Sequence, residues 1–308
     1  MAANFDISPE KEAQVLSFLQ RQLFFKPAEV KGVRLDGKTA IVTGSNVGVG
    51  LESARQLLDL GVSKLILAVR NDTKGRAAAA DLSKGRSSSS SSLKEGTIEV
   101  WPLDQLSYAS VQAFAERTRT LDRIDIVVLN AGILPAKQVH AAETGHDEGI
   151  QVNYLSTVLL LVLLLAVVKE KPTSQPTRFT LVNSDGAAWT KFGGKDEDAL
   201  LPALDKPDHW GMPDRNFVAK LLTQLFVTEL VKSVPATLAI INLVTPGMIH
   251  DSEMSRETRD GWLGWTVEHI RRRVGSTSAV GARLVVDAAV NHGSESHGQY
   301  LSEQKLKP

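Results

Sequence analysis

The sequence predicts an α/β chain: a single doubly wound parallel sheet preceded by a helical extension. Three observations carry that expectation. From Lys38 onward, short β-branched runs alternate with longer segments of helical periodicity, the pattern of strands joined by crossover helices. The first of those runs passes directly into a glycine-rich turn and then into a helix. Finally, 43% of the 308 residues are apolar, enough to bury one large core. Lys and Arg number 35, as do Asp and Glu, so the balanced charge gives no reason to expect nucleic acid or anionic lipid as a partner. Cysteine is absent, which excludes disulfides, thiolate metal sites and cysteine catalysis and agrees with cytoplasmic residence.

Residues 1–34 form the extension and residues 35–308 the main domain. Ser8 can cap a helix with Pro9 at its first position and Glu10 and Glu12 in its first turn. Val15, Leu16, Leu19 and Leu23 then recur at helical spacing and are expected to pack on the main domain. Strands are expected over residues 39–43, 64–69, 98–102, 124–129, 178–183 and 238–244, with a short last strand at Tyr300-Leu301. Helices are expected over 51–60, 107–120, 149–170, 217–233 and 278–292, and a further one begins at Thr73 with Asp72 as its N-cap. The apolar run Tyr154–Val168 falls short of the ~20 residues that cross a bilayer, so it reads as a core or interface helix. No basic start, apolar run and cleavage site marks a secretory signal. The serine-rich stretch 84–93 reads as a surface loop. Residues 185–214 are too long for a plain connection and read as one wall of a substrate cleft. Trp262 and Trp265 fall on a further expected helix.

Strand 39–43 runs into Gly44-Ser45-Asn46-Val47-Gly48-Val49-Gly50. Such a turn lets backbone N–H groups approach a phosphate at a helix N-terminus, where the helix dipole favours the anion. The spacing Gly-x-x-x-Gly-x-Gly after a threonine resembles the short-chain dehydrogenase/reductase family. Leu103-Asp104, Asn130-Ala131-Gly132, Asn153, Ser184, Lys220 and Pro246-Gly247 follow in the family's order. The resemblance covers about residues 36–302, and is narrower to the retinol-dehydrogenase-like branch and to reductases of fungal secondary metabolism. It implies a Rossmann-type fold and a nicotinamide cofactor. Gly44, Ser45, Asn46, Gly48 and Gly50 would cradle the pyrophosphate and Asp104 would accept from the adenine amino group. Asn130 and Gly132 would line ribose and nicotinamide, and Pro246 and Gly247 would border the carboxamide. The second strand ends Ala68-Val69-Arg70-Asn71 without an acid, so Arg70 favours the 2′-phosphate of NADP(H) over NAD(H).

The resemblance also implies a catalytic set of Asn153, Ser184, a tyrosine and Lys220. Serine would hold the substrate oxygen, tyrosine would move the proton, and lysine would grip the ribose and lower the tyrosine pKa. With tyrosine expected three residues before the lysine on one helix, the position holds Phe217, which cannot ionise. The expectation is an enzyme acting on a bulky apolar carbonyl or alcohol with impaired or altered proton transfer. A relayed water, Asp185, His209 or Asp214 could replace the phenol. A non-redox isomerase or cyclase on the same scaffold, and a non-catalytic cofactor-binding protein, remain open beside it. The histidines lack metal spacing, so no metal site is expected. A homo-oligomer built on the long apolar helix and the Phe217 helix is compatible with the resemblance.

Overall fold

The computed structural model describes residues 5, 7–84, 94–252 and 271–308. Trp262, Trp265 and most of the serine-rich stretch lie outside the described residues. Eight strands form one sheet in the order β3-β2-β1-β4-β5-β6-β7-β8. They are β1 (Thr39–Thr43), β2 (Lys64–Val69), β3 (Ile98–Pro102), β4 (Ile126–Leu129), β5 (Thr177–Val182), β6 (Ala239–Val244), β7 (Tyr300–Ser302) and β8 (Lys305–Lys307). All neighbours pair in parallel except β7 with β8, which the sequence did not reveal.

The strands are legible because helices cover both faces, so β1 and β4 are buried at every position. Their alternation builds two apolar layers. Ile41, Val127 and Phe179 point to the side packed by α5 (Tyr108–Thr118) and α7 (Thr157–Glu170). Val42, Leu65 and Val128 point to the side packed by α3 (Gly48–Asp59), α4 (Asp72–Ser83) and α10 (Ser278–Val290). Strand order reverses between β1 and β4, opening the crevice where such sheets bind ligands.

Helix α7 is apolar on nearly every side because it is a core helix. It continues α6 (Glu148–Ile150) through a π-helical stretch, Gln151–Ser156. The combined helix Glu148–Glu170 is long and apolar enough to cross a membrane, but two-thirds of its most apolar window is buried inside the fold (67%). Residues 185–214 hold a 3-10 turn (Asp185–Trp189), α8 (Leu200–Leu204), a second 3-10 turn (Pro207–His209) and a cis Met212-Pro213 bond. The helix carrying Lys220, α9 (Asp214–Leu230), starts one turn earlier than its apolar pattern suggested.

Three expectations are corrected. Asn71 rather than Asp72 caps α4, its Oδ1 accepting from Lys74 N (2.9 Å), while Asp72 is the first helical residue and pairs with Arg76. The extension forms two helices, α1 (Pro9–Glu12, capped by Ser8) and α2 (Val15–Phe24), instead of one. Its aliphatic stripe also faces outward: Val15, Leu16 and Leu23 are more than half exposed, whereas Phe18, Arg21 and Gln22 meet the domain. Polar contacts decide that docking, because both faces of α2 offer apolar bulk.

At the opposite end of the sheet, Asp125 ties β1 to β4. Its carboxylate accepts from Thr39 N (2.9 Å), Lys38 Nζ (3.1 Å) and Arg123 (2.6 Å). Burial pushes its pKa up, but these donors outweigh burial and hold it below the ordinary carboxylate value. A lowered carboxylate pKa stabilises the fold above the unfolded value, and the contribution is lost as pH falls through the folded one. Asp125→Asn should therefore cost about 2 kcal/mol at neutral pH, with partners partly exposed, and less in acid. Urea melts at pH 7 and pH 3 check this; an equal cost at both would refute it.

Candidate active site

The glycine-rich turn lies at the β1/β4 switch point and is held there by polar side chains. Thr43 Oγ1 accepts from Asn130 N and Ala131 N (both 3.0 Å). Asn130 Nδ2 donates to Thr43 O (3.0 Å) and Gly44 O (3.2 Å). Asn130 is thus a strut beneath the turn. A Cβ at Gly50 would stand 2.4 Å from both Asn130 Nδ2 and Gly44 O, so only glycine lets α3 start this close. Inside the turn, Ser45 is fully buried and its hydroxyl has no partner. An orphaned donor in a backbone cradle at a helix N-terminus fits a phosphate. At the end of β2, Arg70 is exposed and makes no ion pair among the described residues. Asp104 Oδ1 accepts from Leu106 N (3.0 Å), which fixes the β3 loop.

Beyond β5, Ser184 Oγ accepts from Gly186 N (3.1 Å) and caps the 3-10 turn. Lys220 lies buried nearly two helical turns into α9, and its Nζ donates to Val182 O (2.7 Å). Asn183 Nδ2 donates to Lys220 O (3.1 Å), pinning the helix to the strand. Burial pulls the lysine pKa from 10.5 down to about 8.

The π-helical stretch aims Asn153 into the cleft. Its Oδ1 accepts from Ile133 N and its Nδ2 donates to Ile133 O (both 2.8 Å). Those two backbone partners settle which end of the amide is which. Asn153 Nδ2 also reaches Asn216 Oδ1 (3.1 Å), so the Asn216 amide must turn its NH₂ away from Asn153. The side chain that meets Asn153 is therefore Asn216, four residues before Lys220. Phe217 makes its contacts elsewhere. Its ring fills the space a Cβ at Gly186 would need (2.1 Å) and stacks edge-on to Trp189 at 6.0 Å.

Sequence reading missed Asn216 because residues three and four before a lysine share its helix face. It also missed the part the extension plays. Phe18 packs edge-on to Trp189 (5.1 Å), and Trp189 Nε1 donates to Ala13 O (2.8 Å). Gln22 brackets Met248, accepting from its N (2.9 Å) and donating to its O (3.2 Å), directly beside Pro246-Gly247. Arg21 bridges Glu12 (2.9 Å) and Asp185 (3.4 Å). Asp185 also accepts from Thr245 Oγ1 (2.9 Å) and Tyr300 OH (3.2 Å), and burial raises its pKa. Asp214 accepts from Lys191 N (2.8 Å), and the His209 ring faces Glu197 at 3.4 Å. None of the three expected substitute acids has a contact with Asn153 or Ser184 among these bonds. No cluster of three or more His, Asp or Glu able to hold a metal occurs among the described residues.

A doubly wound sheet with this turn, a buried lysine and an asparagine on the long helix defines an oxidoreductase of the short-chain dehydrogenase class. A sequence profile described as short chain dehydrogenase matches residues 38–175. The chain is 46% identical to the short-chain dehydrogenase fogG of Aspergillus ruber, over 100% of this chain and 89% of that protein. It is 39% identical to the short chain dehydrogenase/reductase mfmJ of Annulohypoxylon moriforme, over 94% of this chain and 83% of that one. The chain belongs to the short-chain dehydrogenase family. Among solved structures, an NADPH-bound short chain oxidoreductase of Pseudomonas aeruginosa PAO1, described as containing an atypical catalytic center, superimposes with a TM-score of 0.62. At 20% identity, over 87% of this chain and 96% of that one, it shows a shared fold.

The lysine makes a testable demand on stability. Its folded pKa lies below the unfolded value, so carrying the ammonium costs the fold about 3 kcal/mol below pH 8. That cost fades as pH rises from about 8 towards 10.5, because over that range the folded protein has released the proton while the unfolded chain still holds it. Cofactor-free Lys220→Met should accordingly melt above the parent protein at pH 7, with the gap closing by pH 10. A gap unchanged across that range in thermal melts would refute the assignment.

Proposed function

We propose that this protein is an NADP(H)-linked oxidoreductase of carbonyl or alcohol groups on bulky, largely apolar molecules, working in fungal secondary metabolism without a tyrosine proton donor. The observation that carries the reading is the glycine cradle with its unpartnered Ser45 hydroxyl and the uncommitted Arg70 one strand away. The fungal relatives' names and the NADPH-bound neighbour support it. Gly44, Ser45, Asn46, Gly48 and Gly50 would seat the diphosphate and Arg70 the 2′-phosphate. Asp104, Gly132, Pro246 and Gly247 would flank adenine, ribose and nicotinamide, with Lys220 at the ribose. The bound cofactor supplies or accepts hydride.

This chain's own residues do the rest. Ser184 and Asn216 offer hydrogen bonds to a substrate oxygen, and neither ionises near neutral pH. Lys220, with a pKa of about 8, is the one that can exchange a proton near neutral pH. The neutral amide at position 216 also favours a second reading, a non-redox isomerase or cyclase that holds an oxyanion and returns the cofactor unchanged. Consumption of NADPH at 340 nm with aryl ketones separates the two.

Two outcomes follow from the redox reading. Calorimetry should show NADPH binding tighter than NADH, and Arg70→Ala should lower NADPH affinity about 10-fold or more while leaving NADH unchanged. Equal affinities for both nucleotides would remove the NADP(H) assignment. Separately, Asn216→Tyr should raise ketone reduction by about 10²–10⁴-fold, whereas Phe217→Tyr should leave it unchanged. A gain at 217 alone would return the proton-transfer position to Phe217.

A further inference from the structure

A recess opens beside Asn153 and Asn216, walled by Ile133, Pro135, Trp210 and Met212. Arg215 lines it too, and it is 5% exposed. Its Nη2 donates to His209 O (3.0 Å), but Nε and Nη1 are buried without an acceptor. The nearby acids do not reach them. Asp147, which shares the recess, accepts from Ile150 N (3.1 Å). Asp205 takes Asp147 N (2.8 Å) and the His146 ring (2.8 Å), and Asp214 takes Lys191 N (2.8 Å). These carboxylates favour the cation at a distance and leave Nε and Nη1 without an acceptor. A buried charged donor without a partner carries its full desolvation cost, which a ligand would relieve.

We propose that this recess is a substrate subsite for an oxyanion carried on an apolar, aromatic body, with the Arg215 fork and the Asn216 NH₂ as its donors. The inference rests on the reading that the substrate reacts beside Asn153. His209 O takes one Nη2 proton; the other lies parallel to the unpartnered N–H on its own edge, Nε–H or Nη1–H, and that pair matches a carboxylate bidentately or a single enolate oxygen between them. Asn216 adds a neutral donor whose direction Asn153 fixes. Trp210, Met212 and the two loop residues supply the apolar contact that would hold an aromatic ring.

The test uses the full chain saturated with NADPH and three probes of one shape: 2-naphthoate, 2-naphthol and 2-acetylnaphthalene. Titration calorimetry should show naphthoate binding at least about 10-fold tighter than the ketone, with the neutral phenol between them. Arg215→Met should bring all three within about twofold, with NADPH affinity unchanged. Asn216→Leu should weaken all three and keep their order. A carboxylate arm that gains while the phenol does not marks a carboxylate ligand; a phenol rivalling naphthoate marks an enol. Equal affinities in the parent protein overturn the proposal, as does an anion preference surviving Arg215→Met. Should Arg215→Met fail to fold by circular dichroism, Arg215→Lys, which keeps the charge and loses the fork, should cut the preference severalfold, and an unchanged preference there overturns it. Loss of NADPH binding in the parent protein would instead strike the cofactor reading and leave the probe comparison standing.

Discussion

Everything in the crevice depends on how closely two strand ends are drawn together. Thr43 and Asn130 knit the tops of β1 and β4, and the glycine turn sits on that joint with no room for a Cβ at position 50. The contact places the N-terminus of α3 at the switch point, where its free N–H groups face the crevice. It also commits Asn130, expected from the family resemblance to line the cofactor, to bracing the backbone beneath it. A bulkier residue in the turn would separate the strands before it blocked a ligand.

From that joint the cleft is built outward by residues far apart in sequence. The π-helical stretch turns Asn153 onto the Ile133 backbone, and Asn153 then dictates the orientation of Asn216. Across the cleft, an aromatic series from Phe18 through Trp189 to Phe217 links the extension to the first turn of α9. Gly186 makes that series compact, since any side chain there would collide with the Phe217 ring. Edge-on pairs of this kind contribute about 0.5–1.5 kcal/mol each beyond the area they bury. The extension is therefore part of the site's wall, bound by Gln22 and Arg21 as well as by its rings.

What could be read from the sequence follows from how each signal is encoded. Strands covered on both faces are unbroken apolar runs, so the main sheet was visible within a residue or two. Strand β8 was not, because three residues pair across a turn of Glu303 and Gln304, whose positive φ angles have no glycine or asparagine to announce them. The glycine turn, Asn153, Ser184 and Lys220 were legible as an ordered series. Asn216 and Arg215 were not. Periodicity places side chains on a face but does not say which neighbour each will meet. That choice falls to Gly186 and Ile133, which only the tertiary structure brings near α9. The face of α2 that docks was hidden for the same reason, since Gln22 meets a partner 226 residues away.

In the proposed reading, a carboxamide at Asn216 where an ionisable ring is expected changes what the cleft does to charge without dismantling it. An amide donor held in place by Asn153 can stabilise negative charge on an oxygen, and removing one such donor from an enzyme costs about 2.7–4 kcal/mol of transition-state stabilisation. It cannot deliver the proton that would quench that charge. In that reading Lys220 would deliver it, since burial brings its pKa to about 8, where both of its forms are populated near neutrality. With no ionisable ring at position 216 or 217, that reading leaves the lysine no neighbouring acid to tune. Its own desolvation is then the property that sets when a proton moves. In that reading the site would favour substrates whose oxygen stays anionic for part of the reaction, the charge that Arg215, with Nε and Nη1 buried and unpartnered, would meet in the proposed subsite.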